Sequence, residues 1–289
     1  MSIKIPLFPL SPNRKIRELI FISIKKVYHK IVVSGNVIET YSYEKPVLSG
    51  FSVEEKTSTS SNAGKLTEKE IKERESDNLR RSLSRTVQTL RRRINANIGR
   101  WGIDTAKFMT LTFKQNITEH EIGNKEFTKF IRRLNKHVFK KESGLKYVCV
   151  VERQKRGALH YHVIFFNLPY VPFQELLGVW ENGEQRGLRI NKIDTIENVG
   201  SYVVKYISKD INSLIYSEST TEKTAKEINK KLYFCSRGLH KPVEFSLDDK
   251  GLEDFVNKYT NEEYDMFENE YENEHRGKTK YRQIKKKIK

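Results

Sequence analysis

In KFMTLTFKQ, residues 107–115, apolar and polar positions alternate and β-branched residues are frequent, the pattern of a half-buried strand. LKYVCVVER (145–153) and ALHYHVIFF (158–166) are more continuously apolar, and only QKRG separates their cores, so they predict a hairpin of well-buried strands. Before this hairpin, Phe127, Phe130, Ile131 and Leu134 recur at helical spacing within 122–141. After it, VPFQELLGVW predicts a short helix following Pro172, GLRINKID a strand, and IENVGSYVVKYISKDI a helix capped by Asp194 or Thr195. KLYFCS, 231–236, predicts a last strand. Strand, helix, strand, strand, helix, strand, helix is the order of a split βαβ arrangement, which implies an α+β fold with an antiparallel central sheet and flanking helices. FMTLTF is expected to build the central strand.

Upstream, from Leu66 to Ile98, the apolar residues Leu79, Leu83, Val87, Leu90, Ile94 and Ile98 fall three and four apart and predict a long helix. Arg80, Arg81, Arg85, Arg91, Arg92 and Arg93 are interleaved with that stripe. They form either a solvated basic face or a set of phosphate contacts. Residues 1 to about 65 mix short alternating pieces with the polar stretch EEKTSTSSNAGK and suggest a loosely ordered arm. At the other end, an acidic block from Glu253 to Glu274 precedes the basic RGKTKYRQIKKKIK. Single-sign blocks of this kind are usually solvated or disordered. The chain therefore divides into an N-terminal extension (1–65), a basic helical segment (66–100), a central domain (101–250) and a charged tail (251–289).

Charge sharpens this picture. Lysine and arginine total 54 against 37 acidic residues, a formal net charge of +17, which calls for a polyanionic partner, nucleic acid before an anionic membrane. No run reaches the ~18 apolar residues of a membrane helix. Pro6 and Pro9 interrupt the first apolar stretch before a signal-peptide core forms, so the cytoplasm is the expected compartment. Cys149 and Cys235 lie far apart with no CxxC pairing and read as core thiols.

Two constellations carry chemistry. His160 and His162 are one residue apart on a predicted strand and so share a face. By spacing alone such a pair serves equally well in a structural hydrogen-bond network. Glu152 lies across the short turn, however, and the hairpin brings its carboxylate toward the imidazoles. Two neutral nitrogens and one oxygen leave open positions on a divalent ion, as a catalytic metal requires to polarise a phosphodiester. The second constellation is SYVVKYISKD, residues 201–210, where Tyr202 and Tyr206 share a helix face and are followed three residues later by Lys205 and Lys209. A tyrosine hydroxyl, with a reference pKa of about 10, is a poor nucleophile until a cation favours its phenolate. Lysine and a bound metal supply that help, and the step they favour is in-line attack on a DNA phosphate.

FMTLTF, then Glu152 with HYH at 160–162, then YVVKYISK, in this order, resemble the three motifs of the HUH endonuclease superfamily, in particular the rolling-circle replication initiators of small single-stranded DNA phages and plasmids. The resemblance runs from about Leu79 to His240 and takes in RSLSRTVQTLRRRINAN and SRGLHKP. It implies a ferredoxin- or RRM-like core, nicking of one origin strand with Mg2+ or Mn2+, a 5′ end held on tyrosine, and later strand joining. His160 and His162 would be metal ligands and Glu152 the third. Tyr206 fits both the two-tyrosine and the KYxxK patterns and is the first choice of nucleophile, with Tyr202 as its alternate. Lys205 and Lys209 would position the phosphate or stabilise the phenolate. Thr110 and Thr112 share a face of their strand and are expected to support the site; Arg237 and His240, in SRGLHKP, have no transferable role.

Two other readings stay open. A paired-tyrosine transposase of the same superfamily would use the same chemistry on element ends, though it would bring additional domains. A DNA-binding module without catalysis would keep the histidines as structural residues. No GxxxxGK[ST] loop occurs, so strand separation beyond a nick would fall to a host helicase, with a host DNA polymerase extending the free 3′ end. The host cell would then be bacterial.

Overall fold

The structure, a computed structural model, describes residues 25–49, 67–102, 105–154, 157–181, 187–193, 199–203, 233–273 and 276–287. In chain order its elements are β1 (Lys25–Ser34), β2 (Val37–Ser49), α1 (Glu68–Asn95), β3 (Lys107–Thr112), α2 (His120–Phe139), β4 (Tyr147–Arg153), β5 (Leu159–Phe165), α3 (Phe173–Trp180), β6 (Leu188–Lys192), β7 (Tyr233–Cys235), β8 (Val243–Leu247), α4 (Asp249–Lys258), β9 (Tyr264–Asn273) and β10 (Gly277–Lys286). Residues 199–203 are also helical. The strands form two five-stranded antiparallel sheets, ordered β6-β3-β5-β4-β7 and β8-β1-β2-β10-β9. The class is α+β.

In the first sheet β3 and β4 both run antiparallel to β5, which lies between them, while α2 links them in sequence; this is a split βαβ unit. The middle strand is β5 rather than FMTLTF, because the hairpin partner inserts beside β3. Alternation sends Tyr161, Val163, Phe165, Cys149, Val151, Met109 and Leu111 to one face, where Phe127, Phe130 and Leu134 of α2 and Leu176 and Trp180 of α3 close a core. The other face carries Phe108, Val148, Val150, Ile164 and Phe166 against Leu83, Leu90 and Ile94 of α1 and Val199 and Val203. A helix thus covers each face. Cys149 is buried, and that burial pushes its thiol well above the usual range; Cys235 is free and half-buried.

The second sheet corrects the expectation of a loose arm and a solvated tail. Residues 25–49 form the β1–β2 hairpin, residues 264–286 supply β9 and β10, and β10 pairs with β2. The tail's two charge blocks are partner strands. Asp265 faces Lys285 in register, Glu268 faces Arg282, Glu270 faces Lys280 and Glu272 faces Lys278. Read one block at a time, each looks too charged to fold, whereas paired they neutralise one another. Leu252, Phe255 and Val256 of α4 pack on Ile31, Ile38 and Ile284 at one face of this sheet.

Helix α1 joins the two sheets. Its N-terminus is closed by a capping box in which Thr67 Oγ1 accepts the Glu70 N–H at 3.4 Å and the Glu70 carboxylate accepts the Thr67 N–H at 2.8 Å. Its apolar stripe faces the first sheet. Toward the second sheet, Arg91 and Arg92 donate to the buried Glu39 of β2 at 2.5 and 2.6 Å, and Gln88 donates to Tyr41 Oη at 3.1 Å. Tyr281 Oη also donates to Glu39, at 3.0 Å. Two cations and these hydroxyl contacts compensate the cost of burying that carboxylate.

Candidate active site and metal centre

Glu152, His160 and His162 all lie on the α1 side of the first sheet, at the end where apolar packing stops. Glu152 stands opposite His160 in the β4–β5 register, and Thr112 and Thr110 stand opposite His160 and His162 across β3. Five polar side chains therefore continue the rows that Val148, Val150, Ile164 and Phe108 begin. Gly157, with φ of +86°, allows the turn that sets this register. Two imidazoles in a buried strand are explained by position: the strand crosses from core to site along one face.

One ligand atom from each of Glu152, His160 and His162 can be chosen so that all lie within 4.8 Å of one another. The Glu152 carboxylate is 2.7 Å from His162 Nε2, and both side chains are buried. Thr110 Oγ1 is 3.3 Å from His162 Nδ1 on the opposite ring edge. Accepting from an Nδ1–H, it would leave Nε2 with the lone pair that a metal needs. Beside His160, the Gln154 carboxamide Nε2 is 3.4 Å from Nδ1; turning that amide over would present its oxygen and free His160 Nε2 in the same way. Two nitrogens and a carboxylate fit a divalent ion with positions left open, so the donor set passes the chemical test.

Behind the site is an aromatic relay. The Phe108 ring stacks on His162 at 5.9 Å and 7°, and Tyr202 meets Phe108 edge-on at 5.6 Å. Tyr202 is thus one ring removed from the ligand set. Its helical segment is anchored by α1, for Asn95 Oδ1 accepts the Gly200 N–H at 2.8 Å. Lys205, Tyr206 and Lys209 lie outside the described residues. Phe108 and Gln154 are supporting residues that motif reading missed, although register alone, once the hairpin is drawn, puts Gln154 beside the turn.

The basic stripe of α1 divides. Arg91 and Arg92 are engaged by Glu39, and Arg93 is half-buried, whereas Arg80, Arg81 and Arg85 are exposed. In SRGLHKP, the backbone of His240 exchanges hydrogen bonds with the Asn97 side chain, both 2.9 Å, and the Arg237 carbonyl accepts from Lys146. His240 is exposed, and this segment braces the C-terminal end of α1.

A split βαβ sheet with a His-x-His strand, a facing carboxylate and a tyrosine helix on the same face defines an HUH-type rolling-circle Rep. Residues 106–211 match the family model of the replication-associated protein ORF2/gene-2 protein type, and through that segment the chain belongs to this family of phage and plasmid Rep proteins. The match begins at β3 and runs past the tyrosine motif, a narrower span than Leu79 to His240. No curated protein and no solved structure matches the chain.

Proposed function

We propose that the protein initiates rolling-circle replication by nicking single-stranded origin DNA through a covalent 5′-phosphotyrosine intermediate. The convergence of Glu152, His160 and His162 beside Tyr202 carries this reading. Those three side chains would hold Mg2+ or Mn2+, which when bound supplies Lewis-acid polarisation of the scissile phosphate. A tyrosine oxygen attacks phosphorus as its phenolic proton leaves, the bond to O3′ breaks, and the leaving oxygen takes a proton to become a free 3′ hydroxyl. Attack by a 3′ hydroxyl on the phosphotyrosine reverses this exchange and joins strands. Tyr206 is the proposed first nucleophile and Tyr202 its alternate, with Lys205 and Lys209 favouring the phenolate. The exposed Arg80, Arg81 and Arg85 contact DNA phosphates. A host helicase opens the duplex and a host DNA polymerase extends the 3′ end.

The test is incubation with labelled single-stranded origin DNA and Mn2+, scoring a denaturant-resistant adduct for wild type, Tyr202→Phe, Tyr206→Phe and the double variant. Loss only in the double variant establishes interchangeable nucleophiles, and loss in one single variant names a sole nucleophile. No adduct from wild type on its true origin overturns the proposal.

A further inference from the structure

The second sheet has a face that the nicking chemistry does not use. Opposite α4, register places Tyr43, Thr279 and Tyr271 in one row, Tyr41, Tyr281 and Asn269 in the next, and Glu39, Gln283 and Phe267 in the third. Ring contacts run from Tyr43 to Tyr41 (6.4 Å), Tyr41 to Tyr281 (5.1 Å) and Tyr281 to Phe267 (6.5 Å). Burial falls along this series. Tyr41 and Tyr43 are covered, while Phe267 and Tyr271 on the edge strand are 55% and 45% exposed. Two large aromatics held open on one strand, continuous with a buried aromatic row, offer flat apolar surface to a ligand.

Charge says which ligand. Glu268, Glu270 and Glu272 alternate onto the opposite face, against Lys278, Lys280 and Arg282, so β9 keeps most of its acids away from Phe267 and Tyr271. Arg276 lies over the Tyr43 ring at 5.2 Å. The contacts of α1 move along β2 as the helix is followed backward: Asn95 is beside Gly35, Arg92 meets Glu39 and Gln88 meets Tyr41. Arg85 and Arg81 continue that stripe at helical spacing and stay exposed, directed toward the Tyr43 end of the sheet. Cations beside open aromatic rings on a sheet are the equipment for tracking a phosphate backbone while bases stack.

We propose that this face, from Tyr43 to Phe267 and Tyr271 with Arg276, Arg81 and Arg85, is a stacking platform for single-stranded DNA, separate from the metal centre. It rests on the reading of the chain as an enzyme of single-stranded DNA. The platform holds strand flanking the nick without reading its sequence.

The test uses the full chain and fluorescein-labelled oligo-dT, followed by anisotropy. Phe267→Leu/Tyr271→Leu, which keeps apolar side chains at exposed positions, should weaken binding at least about tenfold, and the loss should persist at high salt because stacking releases no counterions. Arg276→Ala should instead flatten the salt dependence. Photocrosslinks from bromodeoxyuridine-substituted strand should map to β9 and β10. Unchanged oligo-dT affinity in the double variant, equal competition by duplex, or a change of oligomeric state in place of a change in binding would overturn the platform. If wild type forms no tyrosine adduct but the double variant still loses oligo-dT affinity, the nicking reading fails and the platform stands.

Discussion

Asn95 of α1 accepts the backbone N–H of Gly200 at 2.8 Å, and a Cβ at position 200 would stand only 2.4 Å from the Arg91 carbonyl. The helical segment that carries Tyr202 is therefore seated against backbone that cannot yield. Because Arg91 and Arg92 are in turn held by Glu39, the second sheet, α1 and the tyrosine segment form one mechanical series.

Gly200→Ala should displace the tyrosine segment without touching a metal ligand. An offset of about 1 Å at a nucleophile costs on the order of a hundredfold in rate. Adduct formation should fall by that order while Mn2+ affinity, read by calorimetry, is retained. Equal loss of both would show instead that the substitution disorders the whole site.

Metal should stabilise the fold through the ligand set. A ligand bound only by the native state at a hundred times its Kd contributes about 2.7 kcal/mol. Saturating Mn2+ should raise the thermal midpoint by several degrees, and EDTA should reverse the rise. In His160→Ala/His162→Ala the midpoint should not respond to either. Salt-sensitive DNA binding should survive in that variant, since many lysines and arginines carry it.

Glu39 should be worth more than a surface acid. Its side chain is 1% exposed and pairs with two guanidiniums, so Glu39→Ala leaves Arg91 and Arg92 without their buried counter-charge. Breaking such a buried arrangement costs about 3–5 kcal/mol. Urea unfolding should show a loss in that range; a loss typical of a surface pair, below about 1 kcal/mol, would contradict the assignment.

Alkaline pH should weaken the same junction. Burial, then the neighbouring Glu39 carboxylate, pushes the Tyr281 hydroxyl up to about 12, and Tyr41 is raised for the same reasons. From about pH 10 the unfolded chain releases these protons while the native chain keeps them, so stability is intact below pH 10 and falls toward pH 12. The urea midpoint should drop across that window, and less steeply in Tyr281→Phe. Tyr281 is partly exposed, so its share is on the order of 1 kcal/mol.

The first sheet and its ligands were legible in the sequence because both are local. The period-two pattern around QKRG sets the β4–β5 register, and that register alone opposes Glu152 to His160. The helix of α1 was equally plain from its apolar stripe. The second sheet was hidden because its evidence is non-local. Strands β2 and β10 pair across more than two hundred residues, and β9 has an almost wholly charged face whose complement is another strand. The role of Arg91 and Arg92 was obscured for the same reason: a helix plot shows their charge but not the Glu39 that meets it. Phe108, an apolar residue in a strand, gives no sequence sign that it will stack on a ligand imidazole.

Thr110 should act through His162. Its hydroxyl is 3.3 Å from His162 Nδ1, where accepting a proton from that nitrogen fixes the tautomer that presents Nε2 toward Glu152. Valine at position 110 keeps the β-branched shape and the strand but removes the acceptor. Loss of such a partner typically costs about 10–100-fold in metal affinity. Thr110→Val should therefore weaken Mn2+ binding by that factor with little change in the metal-free unfolding midpoint, and Thr110→Ser should restore much of it. If the valine variant binds Mn2+ as wild type does, the imidazole is oriented by its stacking on Phe108, and Phe108→Leu becomes the substitution that weakens the metal.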